Sequence, residues 1–257
     1  LPEKLVLAVS GKGGAGKTTI LTLILKTLID HGKKNILVVD ADPNTNLPET
    51  LGIKIKKTVG MIASDLKKSI ERDSISPSMT KKDILEYNIF QTLAETDKFD
   101  LLAMGRTEGE GCYCTVNNLL TQILDTLSKN YDITLMDMEA GLEHLSRRTD
   151  RDVDIMVIVT DPSHMGMQTA LRIKELAKEV HIKFKAMYMV ANQFSPEMEN
   201  IARDHSAKIG IEFGGIIPND PNVQQYSLIG KSLLELPPNS PSLLAVENFL
   251  RKIGLIN

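Results

Sequence analysis

An α/β architecture, a mostly parallel sheet with helices on both faces, is predicted by three observations in this 257-residue sequence. Apolar runs such as residues 5–9, 36–39 and 133–136 are continuous rather than alternating, which is how strands buried on both faces read. Stretches with apolar residues at helical spacing separate these runs throughout the chain. The polar residues of chemical interest gather where strands end, the place where ligands sit in such sheets.

Taken in order, the strand at 5–9 enters Ser10-Gly11-Lys12-Gly13-Gly14-Ala15-Gly16-Lys17-Thr18-Thr19. Ile20, Leu23, Ile24 and Leu28 then mark one face of a helix that His31-Gly32 closes. Residues 36–40 predict a buried strand ending in Asp40, with Ala41-Asp42-Pro43 opening a loop. Val59, Ile62, Leu66 and Ile70 have helical spacing, and residues 80–95 predict a peripheral helix in which 87–90 also suit a short strand. A strand at 99–104 leads into the loop 106–115, which carries both cysteines. Leu119, Leu120, Ile123, Leu124 and Leu127 form an amphipathic pattern, and 133–137 is a strand again ending in Asp. Strands at 154–159, 184–190 and 211–217 and helices at 165–180, 196–209, 222–230 and 242–253 complete the alternation. No repeat or linker interrupts it, so residues 1–257 are expected to form one domain.

Composition narrows the function classes. Net charge is −3 and aromatics are 4% with no Trp, which argues against a nucleic-acid surface. No apolar run nears the roughly 20 residues of a membrane span, and no leader pattern precedes the first strand. Two cysteines lying two positions apart suit a reducing compartment, so a cytoplasmic protein without membrane or nucleic-acid partners is expected.

Residues 11–18 fit G-x-x-x-x-G-K-[ST] in the strand–loop–helix context that a phosphate-binding loop requires. Gly13, Gly14, Ala15, Gly16 and Thr19 are expected to turn backbone N–H groups onto a polyphosphate at a helix N-terminus. Lys17 reaches the β- and γ-phosphates, and the Thr18 hydroxyl can ligate Mg²⁺. ATP or ADP with Mg²⁺ is the expected ligand in a P-loop NTPase fold. No N-K-x-D signature selects guanine.

The run S-G-K-G-G-A-G-K-T-T resembles the deviant phosphate loop of the MinD, ParA and nitrogenase-iron-protein class of ATPases. In that class a second lysine reaches across a two-fold axis to the partner's nucleotide, which implies such a role for Lys12 in a homodimer. Asp40-x-Asp42-Pro43-Asn44 matches the first switch, with Asp42 orienting the attacking water, Asp40 nearer the metal's outer shell, and Asn46 helping to hold the loop. Asp137, followed by Met138-Glu139-Ala140-Gly141, reads as a Walker B carboxylate that binds Mg²⁺ through water and runs into a glycine-hinged second switch. Glu139 and Glu143 sit beside it with roles that the sequence does not separate. The resemblance further implies that Asn192 hydrogen-bonds the adenine and that the loop containing Pro218 forms the second wall of the base pocket.

Gly109-Glu110-Gly111-Cys112-Tyr113-Cys114-Thr115 carries the remaining chemistry. A C-x-C pair makes a strained disulfide, and two thiolates fall short of a four-ligand metal site. A two-fold dimer offers four sulfurs, and soft sulfur favours Ni²⁺, Zn²⁺ or Cu(I) over Mg²⁺. Within the class, G-E-G-C-Y-C resembles the nickel-insertion accessory ATPases of carbon monoxide dehydrogenase and acetyl-CoA synthase. That resemblance implies a homodimer holding Ni²⁺ or Zn²⁺ between its subunits and one of those nickel enzymes as client. The rival expectations are an ATP-gated iron–sulfur reductase and a positioning or partitioning ATPase.

Overall fold

The computed structural model describes residues 4–71, 87, 90–106, 122–124, 126–139, 153–179 and 184–257. Eight strands form one sheet: β1 (Leu5–Gly11), β2 (Ile36–Asp40), β3 (Leu93–Glu95), β4 (Asp100–Ala103), β5 (Ile133–Asp137), β6 (Val153–Thr160), β7 (Phe184–Asn192) and β8 (Glu212–Ile217). Their order is β3-β4-β2-β5-β1-β6-β7-β8, so β1 lies between strands that follow it much later in the chain. Every neighbouring pair is parallel except β3–β4. The eight-stranded, mostly parallel sheet with helices is the predicted fold class.

The helices are α1 (Lys17–Asp30), α2 (Leu47–Leu51), α3 (Val59–Glu71), α4 (His164–Glu179), α5 (Glu199–Ile209), α6 (Pro221–Leu228) and α7 (Pro241–Lys252). Strand pleating explains why the strand sequences are apolar throughout. In β1, Val6 and Ala8 belong to one hydrophobic cluster, with Val39, Met136, Ile158, Ala170 and Ile173. Leu5, Leu7 and Val9 point to the opposite face and pack with Ile20, Leu23, Ile24, Val246, Phe249 and Leu250 from α1 and α7. Each face packs into a hydrophobic cluster, so residues of both parities are apolar along Leu5–Val9 and Ile36–Val39. Shortening one such buried leucine to alanine typically costs about 2–5 kcal/mol.

The helix expected over 80–95 is corrected at its end. Residues 90–92 are helical, but Leu93–Glu95 pairs antiparallel with β4 as an edge strand. A four-residue turn makes the hairpin: Thr96 N–H donates to the Phe99 carbonyl at 3.1 Å, and the Thr96 hydroxyl accepts from Phe99 N–H at 3.1 Å. The helical segment expected around 119–127 is described at 122–124 and 126–127, where Ile123, Leu124 and Leu127 are buried. Among the described residues, no helix is long and apolar enough to cross a membrane.

Candidate active site

The site forms where β1, β2, β5, β6 and β7 end together. β1 delivers the phosphate loop between β5 and β6, and two glycines are fixed by geometry there. A Cβ on Gly11 would lie 2.1 Å from the Val159 carbonyl oxygen, so only glycine lets β1 back this closely onto β6. Gly16, at φ 88°, caps α1, and a Cβ there would sit 2.3 Å from Nδ2 of Asn192. Asn192 is buried at the end of β7, and its Nδ2 donates to the Ala15 carbonyl at 2.8 Å. It thus braces the loop from a strand two positions away in the sheet. Lys17 is buried, and its Nζ donates back to the Lys12 carbonyl at 3.4 Å.

Two carboxylates stand side by side, because β2 and β5 pair in a register that sets Asp40 opposite Asp137. The Thr18 hydroxyl, from the first turn of α1, donates to Asp137 Oδ2 at 2.6 Å. Asp137 Oδ1 is buried with no hydrogen-bond partner among the described residues. Burial pushes Asp137 up to about 6, against the opposing pull of the Thr18 hydroxyl and the Lys17 charge. Burial and the neighbouring Asp137 push Asp40 up to about 7. An orphaned buried carboxylate oxygen beside a threonine hydroxyl and a second buried acid is a donor set that fits Mg²⁺. Among the described residues no group of three or more His, Cys, Asp or Glu could hold a metal ion.

The loop after β2 is held by Asp40. Its Oδ1 accepts from Asp42 N–H and its Oδ2 from Leu47 N–H, each at 3.1 Å. Asp42 makes a turn of its own, Oδ1 accepting from Asn44 N–H at 2.8 Å, and Thr45 follows at φ 56°. Arg106 donates to the Asn44 side chain and ties this loop to the chain beyond β4. Asn46 immediately precedes α2. Asp40 therefore shapes the loop that carries Asp42, a role that the spacing of the two acids did not reveal.

The Lys12 side chain is engaged by residues that follow β6. Its Nζ pairs with Asp161 Oδ2 at 2.9 Å and donates to Ser163 Oγ at 3.2 Å. Burial alone would raise Asp161, but the Ser163 hydroxyl and Lys12 outweigh it and hold the carboxyl below its usual range. Neither Asp161 nor Ser163 stood out in the sequence, although Asp-Pro-Ser between a strand and a helix is a helix-start signal.

A cavity of about 80 Å³ opens between the ends of β7 and β8, lined by Gly16, Thr19, Asn192, Pro218, Asp220 and Gln224 among others. Asn192 and Pro218 are thus brought together on a wall shared with the phosphate loop. Asp220 fixes this wall: its Oδ1 accepts from Asn222 N–H at 2.8 Å and its Oδ2 from Ser242 N–H at 3.0 Å, which joins the starts of α6 and α7. A larger cleft of about 420 Å³ lies at the opposite, amino ends of β2 and β4, lined by Lys33, Lys34, Lys98 and Tyr131 among others. None of the expected site residues is there. Cys112, Cys114, Gly141 and Glu143 lie outside the described residues.

Residues 6–233 match the family model described as the CobQ/CobB/MinD/ParA nucleotide binding domain. An uncharacterised ATP-binding protein of Methanocaldococcus jannaschii is 50% identical over 249 residues, covering 97% of this chain and 98% of the relative. The carbon monoxide dehydrogenase accessory protein CooC of Rhodospirillum rubrum is 31% identical over 246 residues, 90% of each chain. Among solved structures, a ParA family ATPase from Chlorobium tepidum superposes with a TM-score of 0.70 at 19% identity, covering 98% of this chain and 100% of that one.

Proposed function

We propose that this chain, which belongs to the CobQ/CobB/MinD/ParA nucleotide-binding family, is a Mg²⁺-dependent ATP hydrolase that works as a homodimer and carries nickel, or zinc, to a carbon monoxide dehydrogenase or acetyl-CoA synthase. The observation that carries the hydrolase reading is the grouping of Thr18, Asp137 and Asp40 beside the phosphate loop, with one Asp137 carboxylate oxygen buried and without a hydrogen-bond partner among the described residues. Gly13 to Thr19 hold the polyphosphate, and Lys17 leaves the Lys12 carbonyl to meet the β- and γ-phosphates. Thr18 and Asp137 hold hydrated Mg²⁺, which when bound offsets the phosphate charge. Asp40 supports the loop from which Asp42 orients the attacking water. Asn192 and Pro218 flank the base. Lys12 serves the nucleotide of a second subunit, which makes hydrolysis depend on the dimer.

Nickel in this reading is cargo. Cys112 and Cys114 from two subunits supply four thiolates, and ATP and metal each favour the same closed dimer. Their coupling is therefore reciprocal: ATP tightens metal binding by the factor by which metal tightens ATP binding. Support comes from the relative named as a carbon monoxide dehydrogenase accessory protein, which is alike along 90% of its length. A partitioning ATPase is the second reading, and the likeness to the ParA family structure favours it. The net charge of −3 weighs against its use of DNA as a track.

ATP turnover and nucleotide binding of native protein, Lys17→Ala and Lys12→Ala test the hydrolase. Lys17→Ala should lose nucleotide binding, and Lys12→Ala should bind ATP yet hydrolyse it at least tenfold more slowly, about 1.4 kcal/mol of transition-state stabilisation. Native turnover in Lys12→Ala would remove the cross-subunit role. Nickel-independent, DNA-stimulated turnover would favour the partitioning reading, and stoichiometric iron in the purified protein would favour a reductase.

A further inference from the structure

We infer that Asp161, assisted by Ser163, is a latch that holds Lys12 within its own subunit and thereby sets the protein concentration at which the working dimer forms. This rests on the reading of Lys12 as a group that serves the partner's nucleotide.

The seat is organised by contacts that do not involve the lysine. Asp161 Oδ1 accepts from Ser163 N–H at 3.2 Å and from the Ser163 hydroxyl, which aims Oδ2 at Lys12. Ser163 Oγ in turn accepts from Gly166 N–H at 3.0 Å, which anchors the seat to the first turn of α4. Gly166 has a spatial reason to be glycine: a Cβ there would lie 2.2 Å from Asp161 Oδ1. The Asp161 side chain is only 16% exposed and that of Lys12 34%, so the pair is sheltered more than a surface ion pair.

An ammonium seated there is not extended toward another subunit. Before Lys12 can cross an interface, its contacts to Asp161 and Ser163 have to break, and a dimer breaks two such sets. The consequence falls on assembly rather than on the chemical step. If each latch weakens deployment about threefold, within the range for partly exposed pairs, the dimer dissociation constant rises by the square, about tenfold. The design keeps a lone subunit from presenting its lysine until ATP and a partner supply something better than Asp161.

The test is ATP turnover as a function of protein concentration at saturating Mg-ATP, for native protein, Asp161→Asn, Ser163→Ala and Lys12→Ala. Asp161→Asn should reach half-maximal specific activity at about tenfold lower protein concentration, with the same plateau. Ser163→Ala should shift the midpoint the same way by a smaller factor, and it decides the matter if circular dichroism shows Asp161→Asn misfolded. An unchanged or higher midpoint in a folded variant overturns the latch, and a lowered plateau would make Asp161 an aid to the chemistry instead. Lys12→Ala separates the two claims. An inactive Lys12→Ala with an unshifted Asp161→Asn refutes the latch alone, and a fully active Lys12→Ala refutes the trans-acting lysine beneath it.

Discussion

Replacing Asp137 by Asn should abolish Mg²⁺-dependent turnover and yet make the metal-free protein more stable. Asn keeps the acceptor for the Thr18 hydroxyl and removes the charge, so it mimics the protonated acid. Burial lifts Asp137 from 3.8 in a solvated chain to about 6 in the fold, a net cost that already includes the favourable Thr18 and Lys17 contributions. That rise corresponds to about 3 kcal/mol at pH values above both constants. The folded acid binds its proton more tightly than the unfolded one. The folded state is therefore favoured by this group below about pH 4, and that advantage is lost as pH rises to about 6. For a chain of 257 residues, about 3 kcal/mol corresponds to about 5 °C in melting temperature. Thermal melts in EDTA at pH 7.5 and pH 4.5 check this: Asp137→Asn should melt about 5 °C above native at the higher pH and only about 2 °C above it at the lower. A variant less stable than native at pH 7.5, or equally stabilised at both pH values, would refute the argument that an unneutralised buried charge is stored here for a cation.

Two further predictions follow from the loop's bracing. Gly16→Ala places a Cβ 2.3 Å from Asn192 at a backbone φ of 88°, so it should lose about 1–3 kcal/mol of stability and most ATP affinity by calorimetry; near-native binding would show that this close approach does not matter. Asn192→Ala leaves the buried Ala15 carbonyl unpaired and removes part of the lining of the cavity beside the phosphate loop, so ATP affinity should fall about tenfold with the melting temperature lowered by a few degrees. An unchanged ATP affinity would remove Asn192 from the site.

How much of this was legible in the sequence follows from the range of each interaction. The phosphate loop is read locally, because its glycines, lysine and threonine act through their own backbone and the strand before it. Strand ends marked by Asp40 and Asp137 were equally clear, since a charge after a run of buried residues is costly unless it is used. The edge strand Leu93–Glu95 was hidden because three partly buried or exposed residues leave no apolar run, and its partner lies across a four-residue turn. Lys12 was visible as an oddity, but its seat was not: Asp161 is 149 residues away and meets it only because β1 and β6 are neighbours. The loop-holding role of Asp40 was hidden for the same reason. Its hydrogen bonds to the backbone of Asp42 and Leu47 depend on a loop path that spacing alone does not give.

Nickel bound per subunit separates a metal shared between two chains from one held by a single chain. Native protein and Cys112→Ala/Cys114→Ala, each loaded with Ni²⁺ in the presence of Mg-ATP, are passed through gel filtration, and the metal in the dimer peak is determined by elemental analysis. The native dimer should hold about one nickel per two chains, with the nickel lost and ATP binding kept in the double variant. Equal nickel in both proteins, or nickel running with monomers, would contradict a metal shared between the thiolates of two subunits.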